Sequence, residues 1–234
     1  MIYDDEFQLE SLKAFEDIKY KLYYENHYFL WNHLIFDYIN EMLNVYIKKF
    51  SICEKLFRAR RIENGDNKKL DDQKFFSGFN RKDSFVPPAK ITRASRANLD
   101  RIPCLYVATD VKTAIAEVRP FLGKKISVAT IEPAYELNLF DLYIDPNLTS
   151  SMCRLCCNEH FAMDCTDCKE NKADIKKTPF YKLWLKIAQE FSIPYENSSN
   201  YEYFLTQFIS EYIRLNSDFD GIQYSSSLTK TVKI

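Results

Sequence analysis

The stretch RASRANLDRIPCLYVATDVKTAIAEVRP, Arg93 to Pro120, sets an apolar segment and a short helix among four arginines. Its centre, CLYVAT (Cys104 to Thr109), has the β-branched and aromatic content of a strand. Thr109 or Asp110 can cap the helix that follows, and Pro120 ends it. On that helix Ala114, Ile115 and Val118 make an apolar side, and Glu117 lies one turn after Ala114, beside the buried face. A carboxylate placed there is either ion-paired, with Arg93, Arg96, Arg101 or Arg119 as partners, or used in chemistry.

Working outward, ISVATI (Ile126 to Ile131) and LNLFDL (Leu137 to Leu142) read as further strands. The polar run from Glu63 to Gln73 reads as a loop, and Pro87 and Pro88 force extended backbone after it. Towards the N-terminus, Trp31, Leu34, Ile35, Tyr38, Met42, Val45 and Tyr46 step by three and four, giving one face of an amphipathic helix; Phe15, Ile18 and Leu22 give a weaker one. FYKLWLKIAQEF (Phe180 to Phe191) and YFLTQFISEYIRL (Tyr203 to Leu215) are the later helices, and Gly221 starts a last strand. The expectation is an α+β fold: residues 1–50 form an N-terminal helical extension packed on a domain spanning 51–234, with a Cys-rich insertion at about 150–172.

Composition removes several function classes. With 32 basic and 33 acidic residues the net charge is -1, so the footprint of a direct nucleic-acid binder is missing. The acidic start MIYDDEFQLE lacks the regions of a secretory signal, and no apolar run is long enough for a bilayer, so a cytoplasmic protein without a membrane partner is expected. The four glycines are too scattered for a dinucleotide or P-loop phosphate turn. None of the three histidines falls in the opening stretch, and no G-x-S-x-G elbow surrounds Ser225 to Ser227, which argues against a Ser-His-Asp hydrolase.

Seven cysteines without an export signal point to reduced thiols or metal ligands. In CRLCCNEHFAMDCTDCKE, Cys153 with Cys156 and Cys165 with Cys168 form two C-x-x-C pairs, with Cys157 and His160 in reserve. Such pairs fit the sulfur ligands of one tetrahedral structural Zn²⁺. The alternative is a surface loop of thiols.

LFRAR (Leu56 to Arg60), Pro87 and Pro88, SRANLDRIPCLYVATDVKTAIAEVRP, SVATIEPAYELNLFDL and DFDGIQYSSS follow one another in an order and approximate spacing that resemble the RES domain, from about Leu56 to Ser227. The resemblance implies an ADP-ribosyltransferase-like mixed β core with flanking helices, and an NAD-consuming toxin of a toxin–antitoxin pair. It implies Arg58, Arg96, Tyr106, Glu117 and Ser226 as site residues. It also implies a helix-turn-helix antitoxin and a homodimer as partners. The cysteine insertion is not part of the family pattern.

The chemistry suits these side chains. Breaking the nicotinamide–ribose bond of NAD develops positive charge on the sugar, which the Glu117 carboxylate can hold. Arg58 and Arg96 offer forked donors for pyrophosphate, Tyr106 an aromatic face for nicotinamide, and Ser226 a hydroxyl for its amide or the ribose. Nicotinamide leaves without needing a histidine acid. The products fit a glycohydrolase, a phosphorylase or an ADP-ribosyltransferase. The rival expectation is a non-catalytic interaction module with a zinc-stabilised loop.

Overall fold

The computed structural model describes residues 5–25, 30–63, 70–73, 76–144, 178–194, 200–229 and 232–234. The cysteines from Cys153 to Cys168 and His160 lie outside them.

Helix α1 (Asp5–Tyr24) buries Ala14, Phe15, Ile18 and Leu22 at helical spacing. Helix α2 (Ile35–Leu43) buries Ile35, Phe36, Tyr38, Ile39, Met42 and Leu43. It occupies only the middle of the expected apolar run. Trp31 and Leu34 precede it and are 45% and 52% exposed, while Tyr46 is buried just ahead of strand β1 (Ile47–Phe50).

β1 pairs antiparallel with β6 (Leu137–Leu142), β6 parallel with β7 (Gly221–Ser225), and β7 antiparallel with β8 (Val232–Lys233). β2 (Leu56–Arg61) pairs antiparallel with β5 (Ile126–Ile131). Two further strands, β3 (Leu70–Gln73) and β4 (Phe76–Phe79), form an antiparallel pair. The polar run expected to be a loop therefore ends in a strand, because a paired neighbour satisfies the backbone whatever the polarity of the side chains.

CLYVAT is also corrected: it forms no regular strand. Val107 exchanges hydrogen bonds of 3.0 Å with Ile234 on one side, and Ala108 exchanges bonds of 2.8 and 2.9 Å with Phe57 on the other. The segment thus bridges β8 and β2, but β8 is only two residues long and offers no ladder to extend. Gly221 likewise opens the penultimate strand, since β8 follows it.

Short helices α3 (Arg81–Ser84) and α4 (Val111–Glu117) are capped by Asn80 and Asp110, whose side chains accept from the N–H groups of Asp83 and Thr113 at 2.9 and 2.8 Å. Helices α5 (Tyr181–Ser192) and α6 (Phe204–Asn216) fall where the spacing places them. Alternation along β6 sorts the layers. Phe140 and Leu142 face the large core formed with α1, α2, α5 and α6, whereas Leu139 packs with Phe50, Leu56 and Val107. The fold is α+β. Among the described residues no helix is long and apolar enough to cross a membrane.

Candidate active site

A cavity of about 340 Å³ opens beside β2 and α4. Its apolar lining includes Ala59 on β2, Ala108, and Ala114 on α4, all buried. These small side chains leave the space unfilled. Arg58, Arg96, Tyr106 and Glu117, four of the residues expected to carry chemistry, line the same cavity.

Glu117 is the last residue of α4. Its Oε1 accepts a hydrogen bond of 2.6 Å from the Ser226 hydroxyl. Ser226 is 2% exposed, and its Oγ in turn accepts from the N–H groups of Leu228 and Thr229 at 3.2 and 3.4 Å. Thr229 meets Thr113 near the start of α4, hydroxyl to hydroxyl at 2.8 Å. The turn after β7 is therefore fastened to both ends of α4. Ser226, expected to offer its hydroxyl to a ligand, donates it here to the carboxylate; its neighbours Ser227 and Leu228 line the cavity.

Tyr106 places its ring in the wall and ties its hydroxyl down. The O–H donates to Asn98 Oδ1 and accepts from the Ala97 N–H, both at 2.8 Å. Burial, above all, pushes the phenol far above its ordinary range, so it stays neutral.

Arg96 departs most from expectation. It lines the cavity, yet it is 9% exposed and its fork is turned to the C-terminal end of α5. Nη1 donates to the carbonyls of Glu190 and Phe191 at 3.3 and 2.5 Å, and Nη2 to that of Ile193 at 2.7 Å. A helix end leaves such carbonyls without intrahelical partners, and a buried cation is well matched to them. The guanidinium carbon also lies 5.5 Å from the centroid of the Tyr203 ring, a second lining residue. Arg58 Nη1 donates to the Ser84 carbonyl at 3.1 Å and to that of Phe85. Burial, followed by the neighbouring Arg60 charge, lowers its pKa, and an anion in the cavity would relieve both.

Sequence reasoning did not single out Asn98 or Tyr203. Asn98 stands inside the quoted SRAN motif, two residues after Arg96, so the motif already contained it. Tyr203 reaches the cavity only because α5 and α6 fold back beside it, and no local signal announces that.

Residues 61–232 match the family model described as RES domain. The match begins just after Arg58 and takes in Arg96, Tyr106, Glu117 and Ser226. No curated protein and no solved structure matches the chain.

Proposed function

Because the chain belongs to the RES domain family, which is associated with NAD-related toxins of toxin–antitoxin systems, we propose that it is an NAD-consuming enzyme that breaks the nicotinamide–ribose bond in this cavity. The observation that carries the reading is the carboxylate of Glu117, lining the cavity and held by Ser226 at 2.6 Å. On cleavage the C–N bonding pair leaves with nicotinamide and neutralises its ring, while positive charge passes to the ribose. Glu117 sits at the C-terminal end of α4, where peptide dipoles already present their negative ends, so carboxylate and helix act in the same sense on that cation. A fixed carboxylate needs no reorganisation as charge develops, which is the main source of such stabilisation.

Tyr106, neutral and clamped by Asn98, offers nicotinamide a rigid aromatic face. Arg58 supplies positive potential for the phosphates, and Arg96 braces the wall from behind. We read the bridged sheet with its flanking helices as ADP-ribosyltransferase-like. Water, phosphate or a protein side chain completes the reaction at the ribose carbon and gives up a proton. The zinc site at Cys153, Cys156, Cys165 and Cys168 is a separate proposal, resting on spacing alone.

The test is incubation of the purified protein with NAD while free nicotinamide is followed by chromatography. Release in proportion to enzyme supports the proposal, and the second product, ADP-ribose, ADP-ribose 1″-phosphate or a modified protein, identifies the acceptor. Absence of nicotinamide release with water, phosphate and protein acceptors all present would refute it.

A further inference from the structure

Among the described residues three arginines line the cavity, and they are not equivalent. Arg58 and Arg96 donate to main-chain carbonyls of the protein itself. Arg119 does not: it is exposed, and among the described residues its side chain makes no hydrogen bond or ion pair. Its backbone is also unusual. It follows Val118, the residue that closes α4, with φ at 44° and its N–H donated to the Ala116 carbonyl at 2.9 Å. This is the left-handed position after a helix that glycine usually fills, because a Cβ crowds the following carbonyl. An arginine kept in a conformation that glycine adopts without strain invites a role for its side chain.

We infer that Arg119 is the residue that grips the pyrophosphate of the dinucleotide, while Arg58 adds only its positive potential and Arg96 shapes the wall. The inference rests on reading the cavity as an NAD site. Arg119 lies two residues beyond Glu117, so their Cα atoms are at most about 7 Å apart. In NAD a single ribose separates the scissile bond from the pyrophosphate. One carboxylate on the sugar and one guanidinium on the phosphate beside it match that chemistry. The fork is planar, charged at every working pH and able to bind two phosphate oxygens at once. Its exposed placement lets it meet the ligand without giving up an existing partner. Electrostatic attraction at the mouth would also draw the doubly charged pyrophosphate in.

Arg119→Gly tests this cleanly, since it removes the guanidinium and relieves the backbone, so the variant should melt at or above the wild-type temperature. ADP-ribose binding measured by calorimetry should weaken on the order of tenfold or more, and KM for NAD should rise by a similar factor, while kcat changes by less than about threefold. Nicotinamide riboside, which has no phosphate, should bind both proteins alike. Arg119→Lys should fall between, because a point charge replaces the fork. An Arg119→Gly protein that binds ADP-ribose as tightly as the wild type would overturn the inference and leave the NAD reading standing. A wild-type protein that binds neither ADP-ribose nor NAD would overturn both.

Discussion

Two regions of the molecule are packed by opposite rules. In one, Phe15, Leu22, Phe140, Phe191 and Leu183, all nearly inaccessible, fill the space between four helices and the strands. In the other, Ala59, Ala108 and Ala114 form a small cluster that stops short of filling the space beside it. The first arrangement supplies stability, since large apolar side chains removed from water each contribute about 1.5–3 kcal/mol. The second gives up such burial and gains a cavity lined by polar as well as apolar residues. On the proposed reading, function is located where packing is withheld.

The largest effect should come from erasing that difference. Ala59→Leu puts a branched side chain into the cavity lining, and NAD turnover should drop on the order of 10³-fold or more through misplacement of the substrate, with stability changed by less than about 2 kcal/mol. Ala188→Leu on α5, fully buried in the filled core, makes the same chemical change with the opposite result: a loss of roughly 1–3 kcal/mol and normal turnover of the folded fraction. Thermal melts and nicotinamide release on both variants check the contrast, and a stable, active Ala59→Leu protein would break it.

Arg96 joins the two regions, because it lines the cavity while holding the end of α5. Arg96→Lys should cost roughly 2–4 kcal/mol, as one compact ammonium does not reproduce two guanidinium nitrogens spread over three carbonyls, and the melting temperature should fall by several degrees. Unchanged melting with weakened ADP-ribose binding would return Arg96 to the ligand. Ser226→Ala should reduce turnover about tenfold by removing the hydrogen bond to Glu117 Oε1, with binding nearly unchanged. Equal binding and turnover in that variant would show that Glu117 needs no such support.

The smallest effect belongs to Asp141, half-buried on β6, whose carboxyl accepts from the Tyr143 N–H and Gln223 Nε2 at 2.9 and 3.3 Å. Burial raises its pKa above 3.8, so the folded protein holds the proton more tightly than the unfolded chain. Stability from this group is full below that value and is lost as pH rises through the raised one. Asp141→Asn, which cannot titrate, should gain on the wild type across that window by less than about 1 kcal/mol. Melts of both proteins at several pH values between acid and neutral would show it, and a gap that widened in favour of the wild type would reverse the sign.

The filled core was the more legible of the two regions. Spacing of three and four along Phe15, Ile18 and Leu22, or along Leu183, Ile187 and Phe191, records which side of a helix meets the core, because burial acts on every turn. Asp110 as a cap, and Glu117 beside the apolar side of α4, follow from the same local geometry. The cavity was less so. Val107 and Ala108 pair with residues far along the chain, and the two-residue strand β8 has no run to read. The carbonyl partners of Arg96 lie 94 to 97 residues away and Ser226 lies 109 from Glu117, so no periodicity could disclose them. Motif order brought Arg58, Arg96, Tyr106, Glu117 and Ser226 to attention together, but only the fold shows which donors already serve main-chain carbonyls.

The central claim is that the Glu117 carboxylate stabilises positive charge on the ribose, and one variant tests it most directly. Glu117→Gln keeps the shape and can still accept from Ser226, but it removes the charge. Nicotinamide release and melting temperature should be measured on the same preparation. The account predicts turnover lowered by a factor on the order of 10² or more, with ADP-ribose binding and melting close to wild type. A protein that is destabilised by several degrees yet releases nicotinamide at the wild-type rate would contradict it, and would mean that Glu117 holds the end of α4 while the chemistry lies elsewhere.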